Sequence, residues 1–212
     1  NAPRTVSQYI TRLKTYGVAL QPWQIINSAM AVAPSLQTQF PQGGPVFFIG
    51  EDGLSESLGE FGFYQSETQC LAVIASMDRQ LTYDKLRTAT LLIRNGALFV
   101  ATNPDRTFPA PDGLVPGAGA ILAALEAACY QSPFITGKPS PAMYQIALDR
   151  MGLVPEEALV VGDRAETDIA GAQRIGCKTA LVLSGVTSHA DAYTWRPLPD
   201  LIIADLDAIS RL

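Results

Sequence analysis

Apolar positions in this chain recur at two spacings, and the spacing changes every ten to twenty residues. Tyr9, Ile10, Leu13 and Tyr16 fall on one helical face, with Thr5 or Ser7 placed to cap it and Gly17 to stop it. A second helical stretch covers 28–33. Short apolar runs at 45–49, 70–77 and 97–101 predict strands, and helical periods at 51–61 and 82–94 lie between them. The order then repeats with helices over 118–130 and 141–151 and a strand at 158–161. A helix over 167–175 and strands at 179–183 and 201–203 follow. Strands alternating with helices predict an α/β protein with a mainly parallel sheet, because parallel neighbours need a crossover and a helix supplies it. The unit 158–183 has the right-handed strand-helix-strand form. Pro34, Pro41, Gly43, Gly44 and Pro45 punctuate the chain between the early helices and the first strand, which suggests a boundary or hinge.

Composition narrows the function classes. Hydrophobic residues make up 48% of the 212 and charged residues 17%, which is a globular balance. A net charge of −5 with no Lys/Arg run argues against a nucleic-acid partner. A small phosphate ester needs no basic face, since one Lys, a cation and a few amides suffice. Cys70, Cys129 and Cys177 have neither disulfide nor zinc spacing, so a reducing cytoplasm is expected. The one histidine, His189, is a thin basis for a Ser-His-Asp or His-ligated metal mechanism. No apolar run is long enough to span a bilayer, and no membrane partner is expected.

Candidate chemistry comes from strand tips, because open parallel sheets bind ligands beyond their carboxyl ends. The strand at 158–161 runs into Gly162 and Asp163, and Asp168 follows five residues later at the start of a helix. Two carboxylates at one tip suit a hard cation such as magnesium; a turn residue and a helix-start acid would explain them equally well. Lys138 sits in Thr136-Gly137-Lys138-Pro139-Ser140-Pro141, either as a solvated charge or as an ammonium aimed at a phosphate. Asx-turn chemistry accounts for Asn103 and Asp105 in the loop that closes the upstream α/β unit. Asn1 and Arg4 are polar loop residues able to contact phosphate. Asp205-Leu206-Asp207, after the last strand, is the chain's one Asp-x-Asp.

Taken together, several of these segments resemble one superfamily. Gly162-Asp163-Arg164-Ala165-Glu166-Thr167-Asp168-Ile169, with Gly171, Gly176 and Leu183-Ser184-Gly185-Val186-Thr187, resembles the fourth motif of haloacid-dehalogenase-like hydrolases. Gly137-Lys138-Pro139-Ser140-Pro141 is similar to their third. The stretches 77–86 and 99–105 are similar to the large-cap branch, which includes 4-nitrophenyl phosphatases, phosphoglycolate phosphatases and NagD-type nucleotide phosphatases.

The resemblance implies a doubly wound, mainly parallel Rossmann-like core with an inserted α/β cap. Residues 1–34 would be the first part of the core, 35–109 the cap and 110–212 the rest of the core. It implies a magnesium-dependent phosphatase acting on a small phosphorylated metabolite through an aspartyl-phosphate. Asp163 would hold magnesium directly, and Asp168 would support it. Lys138 would offset repulsion between nucleophile and phosphate, and Asn1 would contact phosphate or substrate. It allows a homodimer through the cap.

Asn1-Ala2-Pro3-Arg4-Thr5 resembles the tail of the second motif, whose phosphate-binding Thr would precede Asn1. The first motif, DxDGT, has no match. Asp205-Leu206-Asp207 has Ala208 where that motif has Gly, and lies at the other end of the chain. The expectation is therefore a nucleophile on an upstream segment and no activity from residues 1–212 alone. A core sheet without its first strand would expose a central edge, which natural proteins avoid. Two rivals stay open: a non-catalytic binding protein on the same fold, and a phosphotransferase or mutase.

Overall fold

A computed structural model describes residues 2–110 and 113–211. The chain divides into two compact units, Asn1–Gly137 and Lys138–Leu212.

In the first unit, α1 (Val6–Lys14) starts at Thr5, whose hydroxyl accepts from Gln8 N while the Gln8 side chain accepts from Thr5 N. This reciprocal box satisfies two helix-start amides at once. A 3₁₀ turn at Ser28–Ala31 leads into α2 (Val32–Gln37). Then come β1 (Gly44–Ile49), α3 (Asp52–Gly59), β2 (Phe63–Gln65), β3 (Ala72–Ala75), α4 (Tyr83–Arg94) and β4 (Leu98–Ala101). A hairpin of β5 (Thr107–Ala110) and β6 (Gly113–Pro116), α5 (Ala118–Cys129) and β7 (Phe134–Ile135) complete the unit. Five strands form one parallel sheet in the order β2-β1-β3-β4-β7.

Period-two alternation distributes the strand side chains between two cores. Val46, Ala72, Ile74 and Val100 pack with Val32, Leu36, Leu54 and Leu58 on one face. Phe47, Ile49, Val73 and Ala75 pack with Ile93, Ile121 and Leu125 on the other. Helices cover both faces at β1, β3 and β4, which are apolar throughout, as buried parallel strands are.

Residues on either side of the expected boundary at 34/35 pack together: Ala29, Val32, Ala33 and Leu36 share a core with β1, β3 and β4. The two compact units divide at 137/138.

The second unit contains α6 (Ala142–Met151), β8 (Leu159–Gly162), α7 (Ala170–Arg174), β9 (Lys178–Val182), α8 (His189–Thr194) and β10 (Leu201–Ile203). Its three strands are parallel in the order β10-β9-β8. Both units thus carry the parallel α/β architecture expected from the alternating periods. Among the described residues no helix is long and apolar enough to cross a membrane.

Candidate functional site

The tip of β8 in the second unit brings three of the expected side chains together. A π-helical turn, Ala165–Ile169, joins β8 to α7 and places Asp168 against the strand end. Such single π turns recur at functional sites, where they reposition one side chain. Tyr144, from α6, donates its phenol hydrogen toward the carbonyls of Thr167 and Asp168 at 3.0 and 2.9 Å, fixing the turn from beneath. Burial, then the Asp168 charge, then Cys177 push the Tyr144 phenol well above its ordinary value. It therefore stays a neutral hydrogen-bond donor.

Asp168 is buried and doubly engaged. Its Oδ1 receives Lys138 Nζ at 2.8 Å, and its Oδ2 receives the Arg164 amide at 3.2 Å. Lys138 is thus a placed ammonium, with its side chain 41% exposed toward any incoming group. The Lys138–Pro139 peptide is cis.

Asp163 is held differently. Its Oδ2 accepts from Val186 N at 2.9 Å, its carbonyl accepts from Thr187 N at 3.0 Å, and the Thr187 hydroxyl accepts from Ala165 N at 3.0 Å. The loop after β9 therefore grips the tip of β8. The second carboxylate oxygen of Asp163 has no hydrogen-bond partner among the described residues. A carboxylate with one oxygen anchored and one free is the donor chemistry that a hard cation takes. The residues present fit magnesium on that count. Among the described residues no group of three His, Cys, Asp or Glu side chains is arranged to hold a metal.

Two glycines make room for these acids. A Cβ at Gly162 would run into the Asp168 carboxylate, and one at Gly185 into the Asp163 carboxylate. Gly185 is exposed, so Gly185→Ala should leave stability nearly unchanged while displacing Asp163. Turnover of the full-length protein should fall by about a hundredfold, the order expected for a misplaced catalytic group. The magnesium concentration needed for half-maximal rate should rise. A steady-state magnesium titration checks both; normal values in the variant would mean that Asp163 need not sit where it is seen.

The other expected residues fall elsewhere. Asn1 lies outside the described residues. Arg4 belongs to the first unit, where its carbonyl accepts from Asn27 Nδ2 at 3.2 Å. Its side chain lines a small cavity, 70 Å³, with Tyr9, Met77, Arg79 and Phe108. Asn103 makes the Asx turn, its Oδ1 accepting from Asp105 N at 3.1 Å. Asp205 accepts from Ala208 N at 3.1 Å and Asp207 pairs with Arg211, so that Asp-x-Asp shapes the last turn. His189 stacks on Tyr193 at the start of α8.

Sequence reasoning gave no role to Val186 or Thr187, which orient Asp163, or to Tyr144. It also missed Glu51, whose carboxylate takes Arg79 Nε and Nη2 at 2.9 and 2.6 Å. The Arg79 hydrogen bond holds the Glu51 carboxyl below the usual carboxylate range, against the opposing effect of burial.

Comparison with known proteins connects this arrangement to a family. The haloacid dehalogenase-like hydrolase model matches residues 1–64, and a HAD-hydrolase-like model matches residues 135–209. An acid sugar phosphatase of Staphylococcus aureus is 35% identical over 214 residues, spanning 100% of this chain and 82% of that protein. The chain belongs to the haloacid dehalogenase-like hydrolases, among the phosphatases of NagD type.

Solved structures of this family agree in fold. NagD from Escherichia coli K-12 superposes with a TM-score of 0.87 at 34% identity, covering 96% of this chain and 80% of that one. A glycerol phosphate phosphatase of Mycobacterium tuberculosis, solved in complex with magnesium, gives a TM-score of 0.93 at 34% identity. That match covers 99% of this chain and 64% of the other.

Proposed function

We propose that the protein hydrolyses small phosphomonoesters with magnesium, through an aspartyl-phosphate, and that Lys138, Asp163 and Asp168 form the electrostatic part of its centre. The observation that carries this reading is the Lys138–Asp168 ion pair at 2.8 Å, beside an Asp163 carboxylate with one oxygen free. Lys138 binds a phosphoryl oxygen and offsets the charge that builds up as an anionic nucleophile approaches. Asp168 holds the ammonium in place; with both its oxygens engaged, its part toward the metal is indirect support. Asp163 supplies a direct carboxylate ligand. Bound magnesium would polarise the phosphoryl group and neutralise its charge.

The nucleophile is assigned to a segment outside residues 1–212. Within the second unit the acids beside Lys138 are already committed as its partner and as the cation ligand, and Asp205 and Asp207 serve the last turn. Segment 35–109 is proposed as the cap that excludes water and selects the leaving group. The named activities of the relatives favour a sugar or glycerol phosphate as substrate class.

Residues 1–212 expressed alone are expected to release no phosphate above background at saturating magnesium, since removing the nucleophile from such a unit forfeits most of the rate. In the full-length protein, acid quenching during turnover followed by peptide mass spectrometry should find a phosphoaspartate on a peptide from outside this stretch. Phosphate on Asp205 or Asp207 would overturn the assignment.

A further inference from the structure

Lys138 and Asp168 come from separate stretches of the second unit, yet their side chains meet at 2.8 Å. Helix α6 begins just downstream of Lys138, and Tyr144 stands in its first turn. From there the phenol reaches the backbone of the other stretch. Its oxygen lies 3.0 Å from the Thr167 carbonyl and 2.9 Å from that of Asp168. One side chain thus ties the segment that carries the ammonium to the turn that carries its carboxylate partner.

Packing alone does not call for that hydroxyl. The Tyr144 side chain is buried with Leu148, Ala158, Ala172 and Cys177, an apolar cluster that a plain phenyl ring would fill as well. The turn does call for it. Asp168 N and Ile169 N converge on the Arg164 carbonyl at 2.8 and 3.4 Å, so α and π pairing compete at this point. A donor shared by the next two carbonyls fixes the outcome. Loosening it would rotate the Asp168 side chain about the helix axis and release Lys138 Nζ. Gly171, buried in α7, serves the same contact. A Cβ there would come within 2.5 Å of Tyr144 Cε2 and 2.8 Å of its hydroxyl oxygen. Its backbone is outside the left-handed region, so the ring is what the missing side chain makes room for.

We propose that Tyr144 and Gly171 are positioning residues, which set the Lys138 ammonium through the Asp168 turn. The kinetic consequence rests on the hydrolytic reading; the geometric one does not, and two readouts on the full-length protein separate them. The first is steady-state hydrolysis of a phosphomonoester. Tyr144→Phe keeps the ring and loses the donor. Its kcat should fall by about tenfold, less than a full ångström of misplacement costs, because the Arg164 amide still holds Asp168 Oδ2. The magnesium concentration for half-maximal rate should not change, since Val186 and Thr187 grip Asp163 without Tyr144. The pH profile should keep its shape at lower height. Gly171→Ala should do the same, and combined with Tyr144→Leu it should cost no more than the worse of the two alone, because both act through one contact. If Tyr144→Leu does not fold, Tyr144→Phe decides. The second readout is the side-chain ammonium NMR signal of Lys138, identified by its loss in Lys138→Met. It should stand apart from solvated lysines in the parent and move toward them in Tyr144→Phe. A parent that hydrolyses no ester would sink the hydrolytic reading, and the ammonium signal would still decide this one. The proposal fails if Tyr144→Phe melts lower but keeps the parent's kcat and Lys138 signal, which would make the residue packing alone. It fails if the parent's Lys138 signal already matches solvated lysines. Loss of one limb of the pH profile would also overturn it and make Tyr144 a proton donor.

Discussion

Lys138→Met in the full-length protein should lower phosphate release by about a hundredfold or more, the effect of losing one preorganised electrostatic group. Met keeps most of the stem and removes the charge. The substitution also strips Asp168 of its ammonium partner, leaving the Arg164 amide as its one remaining donor among the described residues. Because Lys138 is 41% exposed, water can replace much of that contact, so the cost should appear mainly in rate and not in stability. Phosphate analogues such as beryllofluoride should bind more weakly in parallel. An unchanged rate would make Lys138 a solvated loop residue whose ion pair is merely structural.

The largest effect is expected from Asp163→Ala. Magnesium-dependent turnover should fall to background, while circular dichroism and the unfolding midpoint change little. The side chain stands at a partly exposed strand tip, and the backbone contact from Thr187 N to the Asp163 carbonyl survives the substitution. Among the described residues, only the bond from Val186 N to Oδ2 is lost. What disappears with it is a carboxylate oxygen that a hard cation prefers over any neutral replacement. A variant that retains near-normal rate and magnesium affinity would remove Asp163 from the metal site.

Much of the fold was legible because it follows from local periodicity. The apolar runs at β1, β3, β4 and β9 are largely buried and stand out without alternation. The helix starting after Thr5 and the Asx turn at Asn103 depend on side-chain chemistry three or fewer residues away. The missed elements lack such signals. β2 and β7 have three and two residues, and β6 alternates weakly on an exposed hairpin, so the sheet decides their conformation. The expected helix at 167–175 begins instead as a π turn at Ala165, because Tyr144 and the strand tip hold its carbonyls and amides.

The site divides the same way. Gly162, Asp163 and Lys138 were visible through their places at a strand tip and before a helix. The partners that give them roles were not, since they lie far along the chain: Val186 is 23 residues from Asp163, and Asp168 is 30 from Lys138. Whether Asp168 is a metal ligand or a lysine anchor could not be read from spacing. The structure shows Asp168 accepting from Lys138 Nζ and from the Arg164 amide. Likewise, Glu51 and Arg79 are 28 residues apart, and only the adjacency of β1 and β3 brings them together.

One assay tests the central claim most directly: release of inorganic phosphate from a panel of small phosphomonoesters by the full-length protein, with magnesium and with the metal chelated. The account predicts multiple-turnover release from at least one sugar or glycerol phosphate, lost on chelation and restored by adding magnesium back. Saturable binding of the same esters with no phosphate released, with or without magnesium, would contradict it and identify a binding protein built on a hydrolase fold.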